Sequence, residues 1–138
     1  MLRDPFVNEA FEPDLMWFIG VFNVYDREET LGYELYVYNP NSSVDRQELI
    51  RKYSLDLNCL SYRHKFVLVE ELARKLRSES YDFQSLFEID ETETSSWPRS
   101  EWYELDDPRA FLSDVYSLAN EVWAEELLKA SLEDRSKW

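Results

Sequence analysis

The chain has 138 residues, the size of one domain, and is 44% apolar, which is enough to build a core. Its 15 Lys and Arg stand against 29 Asp and Glu, a net charge of −14, which disfavours direct contact with nucleic acid or an anionic membrane and favours basic partners. Cys59 is the only cysteine, so an internal disulfide is excluded and a reducing, cytoplasmic compartment is expected. No stretch approaches the apolar run of a membrane span or a signal peptide.

Residues 1–14 carry two prolines and little periodicity, and read as an extended lead-in with Phe6 and Phe11 tucked against the domain. Residues 15–25 are almost continuously apolar and rich in β-branched and aromatic side chains, the pattern of a central strand. Gly20 within it marks a bulge or a close backbone approach. A polar link, Asp26 to Gly32, leads to a second strand, Tyr33 to Tyr38, with Tyr33, Leu35 and Val37 on one face and Glu34, Tyr36 and Tyr38 on the other. The two predict an antiparallel hairpin. Asn39-Pro40-Asn41-Ser42-Ser43 is a stop and turn.

Ser43 is placed to cap a short helix from Val44 to about Tyr53, with acids early and bases late as the helix dipole favours. Residues 59–69 read as a third strand, and a helix follows from Glu70 to Leu76, with Glu70/Arg74 and Glu71/Lys75 spaced as i,i+4 pairs. Residues 78–107 are the least regular part, with a short strand expected at Phe87 to Ile89. Asp107 and Pro108 are suited to be N-cap and first residue of a long helix to about Leu128, with Phe111, Val115, Leu118 and Val122 forming its apolar stripe. The expected fold class is therefore α+β: one domain over residues 1–138, with an antiparallel sheet of three or more strands and a long C-terminal helix packed on it.

Little in the chain points to catalysis. Only two glycines occur, Gly20 and Gly32, too few for phosphate-binding loops. Cys59 and His64 are five residues apart, which in one strand puts them on opposite faces and separates a nucleophile from its base. One Cys and one His do not make a zinc site, and the string from Glu88 to Glu93 lacks the glycine and spacing of an EF-hand loop. No metal, cofactor or catalytic residue is expected. The eight basic residues of 44–77 are mixed with five acids, a pattern of internal ion pairs more than of a nucleic acid site.

Residues 78–107 hold ten acids and one base, net −9, interleaved with Trp97 and Trp102. Charge, rings and irregularity in one stretch point to a partner-binding surface, with Glu88, Asp90, Glu91, Glu93, Glu101, Glu104 and Asp106 supplying charge and Trp97 and Trp102 supplying anchors. The alternative is that both tryptophans are core and the acids a solvated face.

Gly32-Tyr33-Glu34-Leu35-Tyr36-Val37-Tyr38-Asn39-Pro40 resembles the second strand and proline stop of the immunity protein 8 family, bacterial antitoxins of polymorphic and contact-dependent toxin systems. Arg63-His64-Lys65-Phe66-Val67-Leu68-Val69 with Glu70-Glu71 is similar to that family's next strand and helix, and the Trp97 region resembles its late Trp-bearing segment. The resemblance covers about residues 14–80. It implies an immunity protein that binds and neutralises a cognate toxin with a basic surface, by acidic and aromatic occlusion of the toxin's active site. An acidic adaptor or nucleic-acid mimic, and an enzyme using a carboxylate pair, are the alternative readings.

Overall fold

The structure is a computed structural model that describes residues 2–25, 27–88, 97–98 and 100–138. Among these residues there is no strand and no sheet. The expected α+β class is corrected to an all-helical one, with β pairing confined to an isolated antiparallel bridge between Arg3 and Ala10.

The helices are α1 (Met16–Ile19), α2 (Tyr33–Tyr36), α3 (Ser43–Leu49), α4 (Tyr62–Arg77), α5 (Pro108–Val122) and α6 (Ala124–Ser131). Helix α1 runs on as a 3-10 turn, Gly20–Phe22, so the first expected strand is helical. The reason lies in its spacing. Leu15, Phe18, Ile19 and Phe22 recur at i, i+3, i+4 and i+7, and all four are buried. A short, nearly continuous apolar run satisfies both the strand and the helix period, and here packing selects the helix.

The second expected strand is also helical. A π-helical turn, Glu28–Gly32, leads directly into α2. The expected inward face of Tyr33, Leu35 and Val37 is broken up: Leu35 is 0% exposed, whereas Tyr33 and Val37 are 71% and 74% exposed. The third expected strand, residues 59–69, is helical from Tyr62 on, within α4, where Lys65, Leu68, Val69 and Leu72 form a buried stripe at helical spacing. Ser61 caps this helix. Its Oγ accepts from the His64 N–H at 3.4 Å, and its own N–H donates to His64 Nδ1 at 3.3 Å, a reciprocal capping box.

The remaining helices lie close to their expected places. Ser42, one residue before the expected Ser43, caps α3 by accepting from the Asp45 N–H, and the helix continues as a π-helical turn, Ile50–Ser54. Asp107 caps α5 and Pro108 opens it. The long helix is interrupted at Trp123, whose φ of −101° and ψ of 18° leave the helical range, and α6 restarts at Ala124. Phe111, Val115 and Leu118 are buried, but Val122 at the break is 48% exposed. The stripe packs on other helices, not on a sheet: α5 contacts α3, its π turn and α4, and α6 lies against α4. The short strand expected at Phe87 to Ile89 is replaced, as far as it is described, by a 3-10 turn, Phe83–Phe87; Ile89 lies outside the described residues.

Aromatic rings form the centre of the core. Trp102 meets Phe22 at 4.6 Å between centroids, Phe111 at 5.7 Å and Trp97 at 6.2 Å, and Phe87 closes the group against Trp97 and Phe111 at 5.7 Å. Rings of this size supply much of the burial that a chain of 138 residues needs. Arg109 ties the helices at one end, donating to the Leu76 and Ser78 carbonyls at 2.8 Å and so satisfying the C-terminus of α4. Tyr62 and Arg63 tie the other end, both donating to Glu133.

Candidate functional site

The fold uses almost all of the basic charge in residues 44–77 internally. Seven of the eight cations there form ion pairs: Arg46 with Asp114, Arg51 with Glu121, Lys52 with Glu48, Arg63 with Glu133, Lys65 with Glu126, and Arg74 and Lys75 with Glu71. The Lys65–Glu126 contact, at 2.8 Å, lacks hydrogen-bond geometry and acts through charge alone; the Lys65 ammonium also lies 5.2 Å from the Trp123 ring centroid.

His64 and Cys59 do not share a strand, so the face argument that separated them no longer applies. His64 is held by the fold instead. Its Nδ1 accepts from Ser61, and its Nε2 lies 2.7 Å from the Arg3 carbonyl, an arrangement that calls for the neutral Nε2–H tautomer. The edge of Phe11 packs on the same ring at 4.7 Å. Cys59 is an exposed free thiol in the turn before α4. Among the described residues no group of three His, Cys, Asp or Glu side chains is placed to hold a metal ion.

The partner-binding residues expected from the sequence fall into three groups. Asp90, Glu91 and Glu93 lie outside the described residues. Glu88, Glu104 and Asp106 are exposed, and Glu101 is half-buried and already has a partner. Trp97 and Trp102 are core: they are 8% and 0% exposed, so Trp102 offers no surface to a partner and Trp97 only an edge. Their role as anchors is corrected to that of a support. The cause is the ring cluster around Phe22 and Phe111, which absorbs both indoles as the chain crosses it after residue 96.

What the two indoles support is a groove of about 310 Å³ lined by Val24, Glu28, Glu29, Gly32, Tyr33, Tyr36, Trp97 and Pro98. It joins the acidic stretch of the sequence to a segment read as a strand. Glu29, Tyr33 and Tyr36 share a face because they are spaced i, i+4 and i+7, and Glu28 lies beside them in the π turn. The turn itself is closed by the Gly32 N–H donating to the Arg27 carbonyl at 3.0 Å, five residues back. Gly32 keeps the backbone near the groove, with the Arg27 oxygen and the Val24 side chain at ordinary contact distance from where its Cβ would stand. Glu28 and Glu29 are exposed and pair with no cation among the described residues. Glu34, on the opposite side of α2, accepts from the Tyr53 hydroxyl, and burial, helped by that carboxylate, raises the Tyr53 pKa.

Sequence reasoning missed this groove because it read Asp26 to Gly32 as a polar link and Tyr33 to Tyr38 as a strand, where a π turn, Glu28–Gly32, runs into α2. Read at helical spacing, the same residues put two rings and a carboxylate on one face. Tyr33 and Tyr36 in its lining, and Tyr25 and Val37 next to lining residues in the chain, are exposed large side chains.

No family model, curated protein or solved structure matches the chain.

Proposed function

We propose that the chain acts by stoichiometric binding of a basic protein, as an immunity protein does when it covers the active site of its cognate toxin inside the producing cell. The observation that carries this reading is the face around the groove. Glu28 and Glu29, carboxylates with no cationic partner among the described residues, stand beside exposed rings, Tyr33 and Tyr36, over a floor fixed by the aromatic core. Exposed aromatic side chains give contact area at low entropic cost, and unpaired carboxylates steer a basic partner and occupy positions that phosphate would take. Glu104 and Asp106, later in the chain than Trp97 and Trp102, are exposed as well. The chain performs no chemistry of its own in this reading. Among the described residues no helix is long and apolar enough to cross a membrane, in keeping with a partner met in solution.

The test is to titrate the purified chain with the product of the gene directly upstream of its own, the place where this reading puts the toxin. A one-to-one complex with loss of toxin activity is expected, and Cys59→Ser is expected to leave both unchanged. Absence of a complex with that product, or a need for Cys59 in a protein of unchanged melting temperature, would count against the proposal.

A further inference from the structure

A second cavity, a cleft of about 590 Å³, lies along α4 between the lead-in of residues 2–13 and the residues that follow α6. Its volume is that of an ordinary small-molecule site. One face of α4 makes its floor: Val67, Glu70, Glu71, Arg74 and Arg77 recur at i, i+3, i+4, i+7 and i+10. The face is sorted by chemistry. Phe11 packs on His64 and Trp138 on Phe66, which places both of these lining rings at the Val67 end. Arg74 and Arg77 stand at the other end, in the last turn of the helix.

Four of the five charges in the lining answer one another, Arg74 with Glu71 and Arg135 with Glu70. Arg77 is left over. It is exposed, and alone of the eight cations in 44–77 it forms no ion pair among the described residues. The partial negative charge of the helix end, which would oppose an anion beside it, is offset by Arg109 on the Leu76 and Ser78 carbonyls.

We infer that this cleft binds a small aromatic monocarboxylate, with its ring beside Val67, Phe11 and Trp138 and its carboxylate on the Arg77 guanidinium. The inference is independent of the protein-binding reading above, which uses the other face. Guanidinium suits carboxylate because its planar fork donates to both oxygens. A ring gives large contact area to the apolar end at little cost in flexibility. Ten residues of helix put the Val67 and Arg77 Cα atoms about 15 Å apart, and the Arg77 side chain, inclined towards the helix N-terminus, closes only part of that span. The ligand therefore carries a spacer between ring and carboxylate. One unpaired cation answers one negative charge, and the field of a chain at −14 works against a second, which disfavours phosphate esters.

The probe is 4-phenylbutyrate, titrated into the full chain and followed by NMR shifts. It is compared with its neutral amide, with benzoate, with phenyl phosphate, and with a capped tripeptide ending in a free Phe carboxylate. Saturable shifts are expected for 4-phenylbutyrate at the Val67, Arg74 and Arg77 amides and at the Trp138 indole N–H. The amide should bind about tenfold more weakly, and benzoate and phenyl phosphate should also bind more weakly. Arg77→Gln, at an exposed residue, should give the same tenfold loss with an unchanged melting temperature. Glu71→Gln, which releases Arg74, should strengthen binding. No saturable shift, shifts away from the cleft, equal binding by the amide, or full binding by Arg77→Gln would overturn the assignment. Tighter binding by the tripeptide would give the cleft to the chain end of another protein and overturn the small-molecule assignment.

Discussion

Two concave regions of this molecule combine rings with charge, and they handle the charge in opposite ways. The larger, a cleft of about 590 Å³, is lined by Phe11, Val67 and Trp138 and by Glu70, Glu71, Arg74, Arg77 and Arg135. Its charges are largely matched. Arg74 donates to both oxygens of Glu71, Arg135 pairs with Glu70 at 2.8 Å, and the Arg135 guanidinium also lies 5.6 Å from the Phe66 and Trp138 rings. The smaller groove, beside Tyr33 and Tyr36, has two carboxylates and no cation among the described residues to answer them. Size alone would choose the first as the functional site. The comparison teaches that on so acidic a chain matched and unmatched charge lie on separate faces, and the proposed binding face is chosen by the availability of its charge and not by the volume around it.

The sharpest way to test that contrast is to separate the floor of the groove from its walls. Trp102→Ala removes the indole that holds Phe22, Phe87, Phe111 and Trp97 together, and should destabilise the fold by about 3–5 kcal/mol in denaturant titration. Tyr33→Ala, on the wall, should change stability by no more than about 0.5 kcal/mol. A comparable loss from both substitutions would mean that the wall is part of the core.

Charge reversal comes next. Glu28→Lys with Glu29→Lys should slow association with a basic partner at least about tenfold at low ionic strength and remove most of its salt dependence. Glu70→Lys, in the matched cleft, should leave the association rate near that of the wild type. Stopped-flow kinetics at two salt concentrations decide the matter, and equal effects from the two regions would break the distinction between them.

Smaller still is the effect expected inside the cleft. Arg135→Ala loses an ion pair whose side chains are 54% and 44% exposed, and should cost only about 0–1 kcal/mol of stability, with partner binding unchanged. Glu133, between α4 and the chain's end, gives the pH signature of a matched charge. Its hydrogen bonds from Tyr62 and then Arg63 lower its pKa below the ordinary 4.5. A carboxylate with a lowered folded pKa contributes stability that is complete above 4.5 and is lost as pH falls through the folded value. The melting-temperature difference between wild type and Glu133→Gln should therefore shrink on acidification below that pH; a constant difference would show that the carboxylate's charge is not what matters.

Much of the candidate site was hidden by one ambiguity of period. Residues 15–25 and 33–38 are short, aromatic and β-branched, and a few such residues meet the spacing of a strand and of a helix equally well. The resemblance to the strands of an immunity protein family rested on the same stretch, Gly32 to Pro40, and on Arg63 to Val69; both are largely helical. Once the helical period is applied, Glu29, Tyr33 and Tyr36 fall on one face. The acidic run of 78–107 was legible as charge, but not the fact that its two tryptophans turn inward.

The sequence by itself determined what depends on near neighbours in the chain. Asp107 and Pro108 start α5 because a carboxylate and a fixed φ suit a helix N-terminus wherever it lies, and the spacing of Phe111, Val115 and Leu118 makes the apolar stripe before anything packs on it. Net charge and the lone cysteine are likewise properties of composition. The tertiary structure alone decided which of two allowed periods the short apolar runs adopt, since the core that buries Leu15, Phe18, Ile19, Phe22 and Leu35 is assembled from distant segments, with Phe22 against Trp102 and Phe18 against Trp123. It also decided which charges are matched. Arg46 and Asp114 are 68 residues apart in sequence and 2.8 Å apart in space, while Glu28 and Glu29 meet no cation among the described residues, because ion pairing depends on distance in the fold and not on distance along the chain.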